Sequence, residues 1–263
     1  MPEPEEKKSI SIGDGAAIPT HADSGLFTAW RIAFVGALFA FGYLIVVHPD
    51  PYARIVRFLP DGILVTFEVT FASIGIAMVI GLFTGLGRIS HNRAVNLLAS
   101  TYVEVVRGVP LLVQLFYIYY ALGHFVKIND MVSAIIAMSV CYGAYMGEVF
   151  RAGIESIDRG QTEASLSLGF SRHQTMFYVI LPQALRTILP PVGNEFIALL
   201  KDTSLVSILA VSDLLRRGRE FASTTFMYFE TYTMIAIIYL IITLLLSKLV
   251  AFMEERLSRY DRR

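Results

Sequence analysis

Six long apolar stretches, separated by short polar segments, dominate the pattern of hydrophobic and polar positions along the chain. Each is close to the length of about 20 residues that a helix needs to cross the hydrocarbon core of a bilayer. The third and the fifth also contain charged residues, which cost free energy in lipid without preventing insertion. The predicted spans are residues 27–47, 63–86, 97–122, 131–150, 192–215 and 234–253. The pattern therefore predicts an all-α, polytopic membrane protein with about six transmembrane helices.

The longest polar connection covers residues 151–187 and has the periodicity of an amphipathic helix. Within it, Gly169 lacks a side chain and so permits a turn or a close contact. Two proline-containing pairs follow, at 181–182 and 190–191, and we expect them to end this helix and redirect the chain. The segment predicts a short helix that lies along the membrane face.

Composition supports the membrane assignment. Of the 263 residues, 55% are hydrophobic and 17% are charged, which is below the charged fraction of about a quarter in soluble domains. Because 22 basic residues balance 22 acidic ones, the net charge gives no reason to expect a polyanionic partner such as nucleic acid. The single cysteine, Cys141, cannot form a disulfide within the chain and is expected to be a small packing residue. Residues 1–25 have no apolar core, so we predict a disordered tail and not a signal peptide.

The distribution of Lys and Arg predicts the orientation. Short loops rich in these residues stay in the cytoplasm. An even number of spans places both tails on one side, and that side carries most of the basic residues near the span ends. A cluster on the opposite side, at 216–219, is an exception. We therefore predict a multi-pass membrane protein with both termini in the cytoplasm.

A motif in the long polar connection carries the strongest functional signal. Its residues are Glu163, Ala164, Ser165, Gly169, Val179, Leu181 and Pro182. The spacing resembles the cytoplasmic signature of permease subunits of bacterial ABC importers: Glu-Ala-Ala, three residues, Gly, nine residues, Ile, one residue, Leu-Pro. Ser165 and Val179 depart from that signature by small changes of similar shape. Segments 102–114, 143–151 and 200–205 further resemble the polar amino acid uptake branch of the family.

The resemblance implies the fold of a type I ABC importer permease with a cytoplasmic coupling helix, located in the bacterial cell (inner) membrane. The permease domain would cover residues 61–255. Residues 26–60 would add an N-terminal transmembrane helix and an outer loop, and residues 256–263 would form a cytoplasmic tail.

The resemblance also implies partners. These are cytoplasmic ABC ATPase subunits, an extracytoplasmic amino-acid-binding protein, and a second permease subunit that is either the same chain or a paralogue. ATP and Mg would bind to the partner ATPase, and this sequence contains no Gly-x-x-x-x-Gly-Lys-Ser/Thr phosphate loop. The coupling helix would contact the ATPase through Glu163, Ala164, Ser165, Gly169, Leu181 and Pro182.

Ionisable residues within spans are costly and need a partner or a function. Glu195 and Asp202 are seven residues apart, which places both carboxylates on one face of a helix. They could bind substrate together with the hydroxyls of Thr203 and Ser204, and Asp202 is expected close to the bilayer midplane. A structural ion pair, for example between Lys201 and Asp202, is the alternative.

Two further charged pairs have helical spacing. Glu104 with Arg107, and Glu148 with Arg151, are each three residues apart and are predicted to pair on one helix. We interpret the first pair as structural, and the second could act as a gate or an anchor.

The sequence therefore predicts the pathway-forming subunit of an ATP-driven importer of a polar amino acid, working by alternating access. A self-sufficient secondary transporter of small polar solutes is the alternative, although we find no internal repeat of the kind common in such proteins. No catalytic residues and no metal site are predicted, because nucleophile motifs and metal-binding histidine spacings are absent from the sequence.

Overall fold

The computed structural model describes residues 28–125 and 128–261, and the regular elements within these ranges are helices. The predicted disordered tail at 1–25, the start of the first predicted span and residues 262–263 lie outside the described residues. The helices are α1 (Ala29–Val47), α2 (Pro49–Phe58), α3 (Pro60–Arg88), α4 (Arg93–Gly108), α5 (Leu111–Phe125), α6 (Asp130–Glu155), α7 (Arg159–Ser167), α8 (Arg172–Gln174), a π-helix (Thr175–Ile180), α9 (Leu181–Asp202), a 3-10 helix (Thr203–Leu209), α10 (Leu214–Thr225) and α11 (Tyr228–Asp261).

Four helices, α1, α3, α6 and α11, are long and apolar enough to cross a membrane. A fifth crossing is formed if α4 and α5 are taken together, although their axes differ in direction by 108°. The bend lies at Val109 and Pro110, because proline disfavours the helical conformation in the residue before it. Gln114 donates hydrogen bonds to the carbonyl oxygens of Val106 and Val109 at 2.5 and 2.7 Å, so the break leaves these groups satisfied. The predicted span at 97–122 is therefore two helices with a sharp bend.

The fifth predicted span differs in position. Helix α9 begins at Leu181 and ends at Asp202, 11 residues before the predicted start and 13 before the predicted end of 192–215. Its 22 residues extend about 33 Å, enough to cross a bilayer. The prolines do not end it: Pro182 lies in its first turn, where no N–H donor is needed, and two more lie inside it. The expectation that these prolines redirect the chain is wrong.

Close packing of α3 against α6 forms the centre of the fold. Glycines allow the two backbones to approach each other: a Cβ added to Gly85 would lie 2.8 Å from Phe150 Cβ, and one added to Gly147 would lie 2.8 Å from Thr84 Cγ2. Small residues at such positions are common where membrane helices associate. Cys141 is fully buried on α6, as expected for a packing residue.

A second apolar cluster joins the N-terminal helices to the C-terminal ones. Trp30 of α1 donates a hydrogen bond to the carbonyl oxygen of Leu244 at 2.9 Å, and Lys248 lies 5.5 Å from the centre of its ring. The region expected to be an outer loop after the first span is instead helix α2, in which Ile55 and Leu59, its C-terminal capping residue, are fully buried. Helices α1 and α2 are thus packed onto α10 and α11.

Candidate functional site

A cavity of about 300 Å³ lies between α4, α6 and α9. Charged and aromatic side chains reach it from all three helices, and small residues, Ala152 and Gly153, leave room on the α6 side. The charged and aromatic lining residues are Arg107, Tyr145, Glu148 and Glu195. Polar groups that converge on a concave site within a largely apolar protein are typical of a small-molecule site.

Proline chemistry shapes the α9 wall of this cavity. Pro190 and Pro191 lie inside the helix and have no N–H to donate to the carbonyl groups one turn earlier, those of Arg186 and Thr187. Thr187, Pro191 and Glu195 line the cavity at successive turns of the same face.

Glu148 belongs to an ion network at one end of the cavity. It accepts hydrogen bonds from Arg88 at the end of α3 and from Arg151 on its own helix, including one from Arg151 Nε at 3.0 Å. Arg151 also pairs with Glu155. The predicted pairing of Glu148 with Arg151 is confirmed, and the network additionally ties α3 to α6. Two cations therefore neutralise Glu148.

Arg107 and Glu195 have no such partners. Arg107 is exposed and its guanidinium carbon lies 5.5 Å from the centre of the Tyr145 ring, a cation–π contact. The predicted pair with Glu104 is wrong, because no ion pair joins the two within the described residues. Glu195 is half-buried and forms no ion pair or hydrogen bond with any side chain in the described part of the chain. The cavity thus presents one cation and one anion that form no salt bridge within the described residues, although Arg107 is near enough to Glu195 and Glu148 to act on their charges.

Asp202 lies beyond this cavity, at the end of α9. Its Oδ2 accepts a hydrogen bond of 2.7 Å from the hydroxyl of Tyr142, and the rings of Tyr142 and Tyr145 lie 5.6 Å apart. Lys201 is exposed and does not pair with Asp202. The alternative of a Lys201–Asp202 ion pair is therefore excluded for the described residues.

The two predicted hydroxyl ligands are separated from Glu195. Thr203 is fully buried, and its hydroxyl donates to the carbonyl oxygen of Leu200 at 2.7 Å. Ser204 is half-buried in the 3-10 helix and does not line the cavity. Of the four predicted substrate-binding residues, the cavity contains Glu195 alone.

The sequence interpretation missed Tyr142 and Tyr145 and misassigned Arg107. One signal was available: Tyr142, Tyr145 and Glu148 of α6 are three residues apart in turn, so an aromatic and charged stripe runs along one helix face. The sequence does not show in the same way which helix Arg107 of α4 contacts, because that depends on the bend between α4 and α5.

The predicted coupling segment is not a single helix. It consists of α7, a turn at Gly169, the short α8 and the π-helix that leads into α9. Asp158 caps α7, accepting from Gly160 N–H at 2.7 Å, and Gly169 ends the turn with a φ of +88°. Phe170 N–H then donates to the carbonyl oxygen of Ser165 at 3.1 Å. The expected turn at Gly169 is present.

Ser165 has an internal role in this segment. It is buried, and its hydroxyl lies 3.0 Å from that of Thr175 in the π-helix, which fixes α7 to the start of the long helix that continues into α9. Glu163 and Ala164 are exposed, Pro182 is exposed, and Leu181 is half-buried. Exposed apolar side chains surround them: Leu166, Leu168, Phe170, Phe177 and Tyr178. A rigid, apolar surface of this kind is suited to contact with another protein.

A sequence model of the family described as binding-protein-dependent transport system inner membrane component matches residues 77–259. The match covers more than half of the chain. The chain belongs to this family. It is therefore a membrane-spanning permease subunit of a transport system, as the motif at 163–182 predicted.

Relatives with printed functions agree with this family. The L-cystine transport system permease protein TcyB of Bacillus subtilis is 42% identical over 204 residues, which are 77% of this permease and 87% of the relative. The glutamine transport system permease protein GlnP of Escherichia coli is 38% identical over 203 residues, which are 76% and 93% of the two chains.

Solved structures confirm the fold. A chain of an amino acid ABC transporter crystallised with histidines superposes with a TM-score of 0.74 at 41% identity, covering 78% of this permease and 96% of that chain. A chain of the MetNI methionine ABC transporter in an inward-facing conformation superposes with a TM-score of 0.64 at 21% identity, which supports the fold alone. The expected type I ABC importer permease fold is confirmed, and the alternative of a secondary transporter is not favoured.

Proposed function

We propose that this permease forms the transmembrane pathway through which an ATP-driven importer moves a polar amino acid. The observation that carries the proposal is the cavity between α4, α6 and α9, in which Arg107 and Glu195 face the same space without a salt bridge to any described side chain. A free amino acid has an ammonium and a carboxylate on one carbon. Glu195 would bind the ammonium and Arg107 the carboxylate, since a guanidinium matches a carboxylate in geometry. The cavity volume of about 300 Å³ suits a ligand of this size.

Names of relatives support the same substrate class. They include permeases for L-cystine and for glutamine and a structure of an amino acid ABC transporter. Asp202 remains a candidate second contact with Thr203 and Ser204, and its bond to Tyr142 would have to break for substrate to reach it. Glu195 therefore takes the primary role in this proposal.

Energy would arrive through the coupling segment. We propose that cytoplasmic ABC ATPase subunits, which bind ATP and Mg, contact the exposed face at Glu163 and Ala164, while Gly169, Ser165, Leu181 and Pro182 hold its shape. A rigid segment transmits a displacement, whereas a slack loop would absorb it. Both termini would then lie in the cytoplasm.

The remaining components complete the pathway. The cavity is open on one side, so a second permease subunit, this chain or a paralogue, would enclose it. An extracytoplasmic amino-acid-binding protein would deliver substrate to the end opposite the coupling segment.

The decisive experiment measures ATP hydrolysis by the assembled complex. The permease is co-expressed with its neighbouring ATPase and binding protein, purified through a tag on the permease and reconstituted in nanodiscs. We expect one class of amino acid to stimulate hydrolysis. A permease that purifies without an ATPase and moves solute without ATP would refute the proposal.

Charge-removing variants test the site in the same complex. Glu195→Gln should weaken amino acid stimulation by about tenfold or more, because a hydrogen bond to a charged group contributes about 1.5–3 kcal/mol. Glu104→Gln, an exposed carboxylate one turn before Arg107, is the matched control and should behave as wild type. Asp202→Asn with unchanged stimulation would restrict Asp202 to its bond with Tyr142, and equal stimulation of Glu195→Gln and wild type would remove Glu195 from the site.

A further inference from the structure

Helix α10 is held by helix α2, which ends at Phe58. The Phe58 ring lies 5.5 Å from that of Phe221 on α10, and the guanidinium carbon of Arg217 lies 4.3 Å from the centre of the Phe58 ring. Fully buried Ile55 of α2 packs in the same apolar cluster as α10. The apolar face of α10 is therefore covered in part by α2.

Helix α10 in turn holds the 3-10 helix. Arg219 donates a hydrogen bond of 3.0 Å to the Ser207 hydroxyl, and Arg216 donates one of 3.5 Å to the Ser207 carbonyl oxygen. Ser207 is 1% exposed. The 3-10 helix begins directly after Asp202, whose carboxylate is bonded to Tyr142. A chain of contacts thus runs from α2 through α10 to the end of α9.

The 3-10 helix depends on such support. Hydrogen bonds in a 3-10 helix have poorer geometry than those in an α-helix, and runs longer than three or four residues are uncommon. The 3-10 helix of this permease has seven residues, Thr203–Leu209, and the residue that caps it, Ala210, has a φ of +69°. Tertiary contacts must therefore stabilise it, and Ser207 is where α10 supplies them.

We propose that helix α2 is a brace that positions the 3-10 helix and the Asp202 end of α9 through α10. Phe58 and Ser207 are its positioning residues. The brace keeps this end of the pathway ordered while the coupling segment moves the other end. Its effect on transport rests on the proposed function, whereas its effect on the order of residues 203–225 does not.

Hydrogen exchange of the full-length permease in its complex with the ATPase tests the brace directly. Phe58→Ala should raise amide exchange at 203–209 roughly two- to tenfold, the range that corresponds to loss of one aromatic pair. Phe58→Leu should restore most of the protection. Phe39→Ala is the matched control, because it removes an equal ring from α1 at a position that is 71% exposed, and it should leave exchange at 203–209 unchanged.

A double variant tests whether Phe58 acts on the 3-10 helix through Ser207. If Phe58 acts through Ser207, adding Phe58→Ala to Ser207→Ala should raise exchange at 203–209 no further than Ser207→Ala alone. Unchanged exchange in Phe58→Ala, or fully additive effects in the double variant, would overturn the brace.

The ratio of amino-acid-stimulated to basal ATP hydrolysis shows whether the brace matters for transport. In the complex, Phe58→Ala should lower the ratio of stimulated to basal ATP hydrolysis several-fold while basal hydrolysis persists, because a loosened pathway no longer favours one state on substrate delivery. A wild-type complex that no amino acid stimulates would refute the proposed function and leave hydrogen exchange to decide the brace. A normal ratio in Phe58→Ala, with wild-type stimulation intact, would overturn the brace alone.

Discussion

Gly169 has a φ of +88°, a backbone conformation that residues with side chains rarely adopt. Nothing lies within 4 Å of the position where its Cβ would be. Backbone geometry, and not crowding, therefore selects glycine at this turn. The sequence indicated a turn here from glycine alone, and the structure adds the reason, which is the reversal that brings Ser165 beside Thr175.

Substitution at Gly169 should separate coupling from assembly. Gly169→Val should leave the permease in the membrane but reduce amino-acid-stimulated ATP hydrolysis strongly, because strain of about 1–2 kcal/mol would shift the turn that shapes the segment. Gly169→Asn is the matched variant, since asparagine tolerates this conformation better than other residues with side chains. Hydrolysis and uptake are measured on complexes of equal yield. Equal coupling in the Val and Asn variants would show that the turn conformation is not what matters.

Arg107 illustrates what a single residue cannot reveal from sequence. Its spacing from Glu104 fitted a helical ion pair, yet its guanidinium lies over Tyr145 of another helix. The spacing rule compares neighbours on one helix only. Contacts across helices compete with it, and they are set by packing.

Helices α3 and α6 show how elements of this fold recognise each other. A Cβ on Gly85 would lie 2.8 Å from Phe150 Cβ and 2.9 Å from the carbonyl oxygen of Gly147. The second of these is backbone, which cannot turn away as a side chain can. The close contact of the helices therefore requires glycine at position 85, because glycine has only a hydrogen atom where other residues have a Cβ. In lipid, where no hydrophobic effect drives helices together, such close packing is a main source of association energy.

Two substitutions on α3 separate packing from helix propensity. Gly85→Ala should destabilise the permease by about 1–3 kcal/mol through overpacking. Gly75→Ala on the same helix is the control, because nothing lies within 4 Å of its Cβ position, and it should be neutral or stabilising by up to about 1 kcal/mol. Thermal stability in detergent, followed by size-exclusion chromatography after heating, checks both. A Gly85→Ala variant as stable as Gly75→Ala would contradict the packing argument.

The whole molecule has two distinct ends. At one end of α3, Arg88 joins the ion network of Glu148 near the coupling segment, and at the other, Asp61 pairs with Arg217 of α10 at 3.2 Å. Helix α3 has 29 residues, so these ends are roughly 43 Å apart. The cavity lies closer to the coupling end, because it includes Glu148 and Gly153 near the end of α6. A displacement of the coupling segment would therefore reach the cavity before it reached α10.

Cysteine labelling in intact cells checks which end faces the cytoplasm. The native Cys141 is fully buried, so it should give little background. If the coupling segment faces the cytoplasm, an impermeant thiol reagent should label Arg57→Cys, at an exposed position of α2, in intact cells. It should label His173→Cys, in the coupling segment, only after the membrane is permeabilised. The reverse pattern would contradict the predicted orientation of both termini.

The sequence by itself determined the helical class, most of the membrane spans, the coupling motif and the family. Long apolar runs insert into lipid wherever they occur, and the motif residues are close together in the chain, so both are local properties. Only the tertiary structure decided that α4 and α5 bend apart, that α9 passes through its prolines, and that Glu195 shares a cavity with Arg107 while Asp202 bonds to Tyr142. These outcomes depend on which helix faces meet. Packing between elements distant in sequence sets those faces, and no local pattern encodes that packing.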